Sequence, residues 1–363
     1  NWWGETNGAD ILDNKISTVP SQNDVEPAAI DFSTYLLNGA DQSSDDIGFQ
    51  GDFSQLGVTT QGASLENLTT TKGESLPDGR IGKAVELVDA DGRVEVEAGT
   101  YTEDVAINRG VTLTGAADQS STIDGDIDVT GNNVTIEDFT IESEVTSGGA
   151  VLVDVAADNF TFRNNVQNIE NSGGNGGSDA VRLAGKDGLI TQNDFTWLSG
   201  LAGRGDNFVA VSEGSNGTEV SGNTIEGGRF RANLGTSDTV TLTDNTINFV
   251  NSGDSFSTGG TFPGDFVFVG GSDPIGGTLA DFASNTANGN ALGVQLQRDS
   301  GSHEHYFTSI QDGVDFADAA ANDTINVAAG TFEENVTIDK SLFLLGNNEG
   351  IDPNNNGSRL DET

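Results

Sequence analysis

The chain contains no cysteine and no methionine in its 363 residues, only six prolines, and 15 lysines and arginines against 57 aspartates and glutamates. Each shortage closes off a class of protein. Without cysteine there are no disulfides and no thiolate metal ligands, so a disulfide-stapled scaffold and a zinc ribbon are both excluded. The net charge of −42 excludes nucleic acid as a partner, since phosphate contacts need clustered Lys and Arg. It weighs equally against an anionic membrane surface. No run of about 18 apolar residues is present, so no segment reads as a membrane span. Apolar residues make up 34% of the chain, too few for one large central core. Nor is there a secretory leader or an initiator methionine: the chain opens Asn1-Trp2-Trp3-Gly4 and reads as a piece of something longer.

What is plentiful is glycine, at 49 residues, and repetition. Residues 98–115 read Ala-Gly-Thr-Tyr-Thr-Glu-Asp-Val-Ala-Ile-Asn-Arg-Gly-Val-Thr-Leu-Thr-Gly, and residues 329–346 read Ala-Gly-Thr-Phe-Glu-Glu-Asn-Val-Thr-Ile-Asp-Lys-Ser-Leu-Phe-Leu-Leu-Gly. Eight of the 18 positions are identical, at an offset of 231 residues (330 against 99, 338 against 107). A duplication of this period implies one full module and the opening of a second. Both copies are preceded by helical spacing: Ile81, Ala84, Val85 and Val88 in the first, Ile310, Val314 and Ala317 in the second. Strand-like alternation follows in both. The chain divides accordingly into an irregular connector over 1–77, a solenoid over 78–300 and the start of a second module over 301–363.

Between residues 130 and 297 short β-segments recur, ending at Asn165, Asp194, Asn223, Asn245 and Asn285. Each offers apolar residues at period two and then a polar residue where the chain turns. Asn suits such turns because it tolerates left-handed backbone geometry. Stacked on successive coils, Asn165, Asn223 and Asn245 are placed to form a ladder of side-chain amides along an axis. A Greek-key sandwich also has short strands, but would not repeat one motif with one turn residue. The longest interval is assigned to an insertion over Asp254–Pro274.

These motifs carry a resemblance. The Ala-Gly-Thr-Tyr/Phe-x-Glu-Asp/Asn-Val-x-Ile runs, Ser309-Ile310-Gln311 leading into Asn322–Val327, and Asn1-Trp2-Trp3-Gly4 together resemble the right-handed parallel β-helix (pectin-lyase-like) modules of large prokaryotic surface and secreted proteins. The resemblance implies an all-β solenoid with a short capping helix. It says little about activity, since the fold hosts lyases, esterases, adhesins and inert scaffolds alike.

Candidate chemistry is sparse. Asp124, Asp126 and Asp128 alternate, which on one strand would set three carboxylates on one face as a Ca²⁺ site or as a plain solvated acidic face. Asp352, Asn354 and Asn356 precede Gly357 like the first half of an EF-hand loop, but Glu362 falls one residue early for its twelfth ligand, and an Asn/Gly turn explains the run as well. Arg229 and Arg231, flanking Phe230, could grip a uronic acid polymer. His303 and His305 flank Glu304 at strand spacing, a pattern that suits a metal or arises by chance. No catalytic set is assigned. The expected function is a structural module of an extracellular surface layer, adhesin or filament. Ca²⁺ is its expected stabilising ion, and other copies of itself or adjacent modules are its expected partners. The alternative is a protein that binds or cleaves polysaccharide beside Arg229 and Arg231.

Overall fold

The computed structural model describes residues 59–60, 67–70, 81–146, 149–171, 177–197, 207–227, 229–234, 238–248, 267–271, 284–287, 289–298, 303–319 and 322–347. They form a parallel β-solenoid. Each turn of the chain lays one short strand in each of three sheets, which have 9, 9 and 11 strands. One coil illustrates the rest: Val134–Glu137 lies in the first sheet, Phe139–Val145 in the second and Val151–Val155 in the third.

Alternation decides which side chains point inward. In the first sheet the strand registers stack Val94, Leu113, Ile136, Phe162, Ile190, Val220 and Leu242, all buried. The third sheet stacks Val105, Ile127, Val153, Val181, Val209 and Phe230 in the same way. The interior is therefore a bundle of aliphatic columns one residue wide, which is how a chain so poor in apolar residues still closes a core. Phe160, Phe162, Phe195, Phe208 and Phe230 run through it with successive centroids 5.9–6.3 Å apart. Such offset contacts add to the area these rings bury.

A helix, α1 (Ile81–Leu87), covers the first coil with Ile81, Ala84 and Val85 buried. Its N-terminus explains one invariant of the repeat. Glu103 accepts hydrogen bonds from the backbone N–H groups of Ile81 and Gly82, at 3.0 and 3.1 Å. In the second copy the matching Glu334 accepts from Ile310 and Gln311 at the head of α2 (Ile310–Phe316), at 2.7 and 2.9 Å. The glutamate of the Ala-Gly-Thr motif thus satisfies orphan N–H groups of a helix some 20 residues earlier, and its charge suits the helix N-terminus. Strands Thr59–Thr60 and Asn67–Thr70, inside the stretch read as connector, extend the first sheet, with Asn67–Thr70 parallel to Gly92–Val96. Strand Val267–Gly271 lies inside the stretch read as an insertion and continues the third sheet beside Arg229–Leu234.

The two copies share the third sheet, and the interior changes sides between them. Strand His303–Phe307 pairs antiparallel with Val267–Gly271, Val294–Gln297 pairs antiparallel with it, and Asp323–Val327 antiparallel with that. The second copy's strands therefore run opposite to those of the first. Coils of one hand that advance in one direction must enclose the opposite face of a sheet when their strands reverse. The registers show this. The outward column Asp128, Asp154, Arg182, Ala210 and Arg231 continues across Val267–Gly271 into His305, Leu296, Ile325 and Leu344. Leu296 and Ile325 belong to a second core with Phe307 and Val314, whereas the neighbouring Tyr306 belongs to the first.

Two outcomes follow. Phe195→Ala should destabilise the chain by about 3–5 kcal/mol in denaturant titration, because it cuts the ring stack at its centre. Glu103→Ala should cost about 1–2 kcal/mol and speed amide exchange over residues 81–88, with Glu103→Gln milder because it keeps one acceptor oxygen.

Candidate functional site

The most elaborate polar arrangement lies inside the solenoid, at the corner between the first and second sheets. Asn165, Asn193, Asn223, Asn245 and Asn285 occupy that corner on successive coils, each at most 1% exposed. Every Oδ1 from Asn193 onward accepts twice from the preceding coil: from the backbone N–H and from the Nδ2 of the previous asparagine. The distances are 2.9 and 3.2 Å for Asn165 to Asn193, 2.9 and 2.9 Å for Asn193 to Asn223, 3.0 and 2.8 Å for Asn223 to Asn245, and 2.9 and 2.8 Å for Asn245 to Asn285. Each Nδ2 also donates backward to a strand carbonyl, from Asn165 to Ile136 and from Asn193 to Phe162, and onward to Asn285 bonding Leu242. An amide is the one side chain of this size with two donors and an acceptor on one planar head, which this geometry requires. The residue before each of the first four is left-handed: Asn164, Gln192, Gly222 and Asp244 have φ between 54° and 64°. The ladder starts at Phe139, whose N–H donates to Asn165 Oδ1 at 3.0 Å.

The structure thus places Asn165, Asn223 and Asn245 in one column, and adds Asn193 and Asn285. Asn193, not the exposed Asp194, holds the corner of its coil. In four of the coils the corner amide follows directly on a left-handed residue, and Gln192-Asn193 fits that rule.

On the outer surface, charges lie along the strand columns. Glu137, buried on the first sheet, accepts from Thr114 Oγ1 at 2.9 Å and from Arg163 Nε at 2.7 Å, with Arg93 at 3.4 Å. Burial pushes its carboxyl up, but the hydrogen bonds from Arg163 and Thr114 and the two guanidinium charges outweigh that and hold it below the usual glutamate range. On the third sheet Asp154 pairs with Arg182, and buried Asp179 accepts from Asn207 Nδ2 at 2.6 Å. Burial raises the Asp179 carboxyl, and the Asn207 bond with the charges of Arg231 and Arg182 offsets this only in part. Arg231 falls in the outward column next to Ala210, and the backbone of Arg229 pairs with Asn207 across a register shift. Arg229, Phe230 and Arg231 are consecutive in strand Arg229–Leu234, and the extra residue of the shift, Phe208, lies on the neighbouring strand.

The three alternating aspartates are not on one strand. Asp124 ends a strand of the second sheet, Asp128 lies in Ile127–Val129 of the third, and Gly125-Asp126 is the corner between them. Glycine is needed there, because a Cβ on Gly125 would sit 2.2 Å from the Glu103 carbonyl oxygen. Asp126 N–H donates to Asp104 Oδ1 on the previous coil at 3.0 Å. Burial and the nearby charges of Asp104 and Asp128 raise the Asp126 carboxyl. Asp352, Asn354 and Asn356 lie outside the described residues, as do Asn1-Trp2-Trp3-Gly4. Glu304 and His305 point to opposite faces of their strand: Glu304 accepts from Tyr306 Oη and Gln295 Nε2, while the His305 ring packs tilted against Phe316 with centroids 4.4 Å apart. Among the described residues no group of three or more His, Asp or Glu side chains is arranged to hold a metal ion.

Comparison of the chain with protein-family models, with curated proteins and with solved structures gives no match.

Asn193→Ala removes the acceptor of two Asn165 donors and one of the bonds to the Phe162 carbonyl, so it should cost about 2–4 kcal/mol in denaturant titration. Asn193→Asp keeps the shape, but should cost more near neutral pH than at acid pH, since it buries a charge. The sign of the Asp179 effect is opposite to that of a salt-bridged carboxylate. Folded Asp179 holds its proton more tightly than the unfolded chain, so its contribution is most favourable below the ordinary value of 3.8 and declines as pH rises to the raised value. Melting temperatures across that range should fall more steeply for the parent than for Asp179→Asn.

Proposed function

We propose that this protein is a structural β-solenoid module of an extracellular surface layer, adhesin or filament. Its partners are adjacent modules or copies of itself. The observation that carries the reading is the shared third sheet: the first copy's last coil and the second copy's first strand belong to one hydrogen-bonded sheet of 11 strands. Modules joined in this way transmit load through backbone ladders and not through a linker. The interior asparagine column supports the same reading, since it supplies axial hydrogen bonds and no reactive group faces solvent from it.

The alternative is a protein that binds or cleaves polysaccharide beside Arg229 and Arg231, and Arg231 shares its outward column with Asp154 and Arg182. A lyase needs a base and a free cation beside one another. Arg182 is committed to Asp154, and Asp179 to Asn207. Arg182 acts as counter-ion to Asp154, and the Arg231 charge lies near enough to Asp179 to favour its ionised form, which supports the structural role.

Ca²⁺ enters the proposal as the stabilising cation. The net charge of −42 repels itself at low ionic strength, and the Asp104, Asp126 and Asp128 corner concentrates that charge. Electron microscopy of the isolated chain should show stiff rods or their assemblies, with no unsaturated uronate released from acidic polysaccharides. Compact particles, or polysaccharide cleavage, would overturn the structural reading. At matched ionic strength Ca²⁺ should raise the melting temperature more than Na⁺ does, and less so in Asp126→Asn. Equal effects of the two ions would remove Ca²⁺ from the proposal.

A further inference from the structure

The sequence holds seven Asn-x-Ser/Thr triplets without proline in the middle, the acceptor pattern for N-linked glycan. A chain this rich in Asn, Ser and Thr contains that many by composition alone, so only their placement is informative. Three fall on one ridge of the solenoid, the corner where the chain passes from the third sheet to the first. The registers set Asp91, Gly110, Asn133, Asn159, Asp187 and Gly217 at that corner on successive coils. All but Gly110 are exposed, with φ between 55° and 81°. A left-handed corner favours Gly, Asn and Asp, and this ridge uses those three alone. Asn133 and Asn159 each open a triplet there, and Asn216 opens one just before Gly217.

The coil gives the three triplets different standing. Glycan is joined to the amide nitrogen, and the Ser/Thr hydroxyl two residues on is the part of the pattern that a transferase must reach. Asn133 Oδ1 accepts from Asn159 Nδ2 at 3.1 Å, which leaves Asn133 Nδ2 to solvent and commits that of Asn159. Val134 and Phe160 are buried, while Thr135 and Thr161 stand half-buried on the outer face. At Asn216 the amide Oδ1 accepts from the Thr239 N–H at 2.9 Å, but Thr218 is 1% exposed and donates to the Ser215 carbonyl at 2.9 Å. Asn159 thus lacks the free nitrogen, Asn216 lacks the accessible hydroxyl, and Asn133 has both. We infer that Asn133 is an N-glycosylation site of the folded module. The donor is a sugar activated as the phosphate ester of a membrane lipid. Transfer breaks its C1–O bond, forms a C1–Nδ2 bond, releases the lipid phosphate and passes one Nδ2 proton to a base of the transferase. A bulky, hydrated glycan there keeps this ridge out of contacts between copies. The inference rests on the extracellular placement proposed above.

The test is peptide mass spectrometry on protein isolated from the cells that make it, after separation of the surface fraction from the cell interior. Asn133 should carry glycan mass in most copies, and Asn159 and Asn216 little or none. Thr135→Val, expressed in the same cells, should lose that mass although Asn133 is still present, and Thr135→Ser should keep it. Valine suits an outward strand position, so the loss should come without a lower melting temperature. Asn133→Gly, which suits the left-handed corner, should lose the mass as well. Three results in surface-fraction protein would overturn the inference and leave the surface module standing: a bare Asn133, glycan mass that persists in Thr135→Val, or occupancy at Asn216 equal to that at Asn133. Protein confined to the cell interior would overturn the extracellular placement, and the inference with it.

Discussion

The structure depends on closing a corner with buried backbone. At each turn between the first and second sheets the chain must change direction while its N–H and C=O groups stay inside, away from water. Unpaired, each such group would cost about 1–3 kcal/mol. The asparagine column meets this demand coil by coil, because one planar amide accepts from the coil before it and donates to the backbone behind it. The left-handed residue ahead of Asn165, Asn193, Asn223 and Asn245 turns the chain, and the amide then seals the turn. With the corners sealed, the sheets stay in register and the aliphatic columns coincide. An interior one residue wide cannot tolerate a slip, since a shift of one residue would turn every core side chain outward.

Against this interior the surface is nearly the reverse. It is dominated by carboxylates that are paired where they approach burial, as Glu137 is with Arg163 and Asp154 with Arg182. Among the described residues Lys83, Arg93, Arg163, Arg182 and Arg298 pair with nearby carboxylates, and the large excess of acidic residues leaves most of the negative charge to solvent and mobile ions. The solenoid is thus held by short-range, uncharged interactions and opposed by long-range repulsion. A cation-rich surrounding helps it by weakening the second without touching the first.

Much of this was legible in the sequence, and the misses share a cause. The 231-residue repeat, the capping helices and the corner positions of Asn165, Asn223 and Asn245 follow from period and spacing alone. The segment's last polar residue is Asp194, but the corner belongs to Asn193, because the buried position is the one that directly follows the left-handed Gln192. The alternation of Asp124, Asp126 and Asp128 suggested one strand, and only the close approach of Gly125 to the Glu103 carbonyl shows why the chain bends there. The exchange of interior and exterior at strand His303–Phe307 could not be read locally. Tyr306 and Phe307 are both buried and adjacent, and which core each joins depends on strand direction in a sheet assembled from distant segments. The helix-capping role of Glu103 was hidden for the same reason, as its partners lie about 20 residues away.

The amide ladder has a direction, and that is where it is most open to test. Backbone exchange in Asn223→Ala should show the Asn193 N–H losing protection, because its acceptor was Asn223 Oδ1. The N–H of residue 223 itself should stay protected, because its acceptor is Asn245 Oδ1 on the following coil. An unchanged Asn193 amide, or equal loss at both positions, would contradict the ladder as the element that closes the corners.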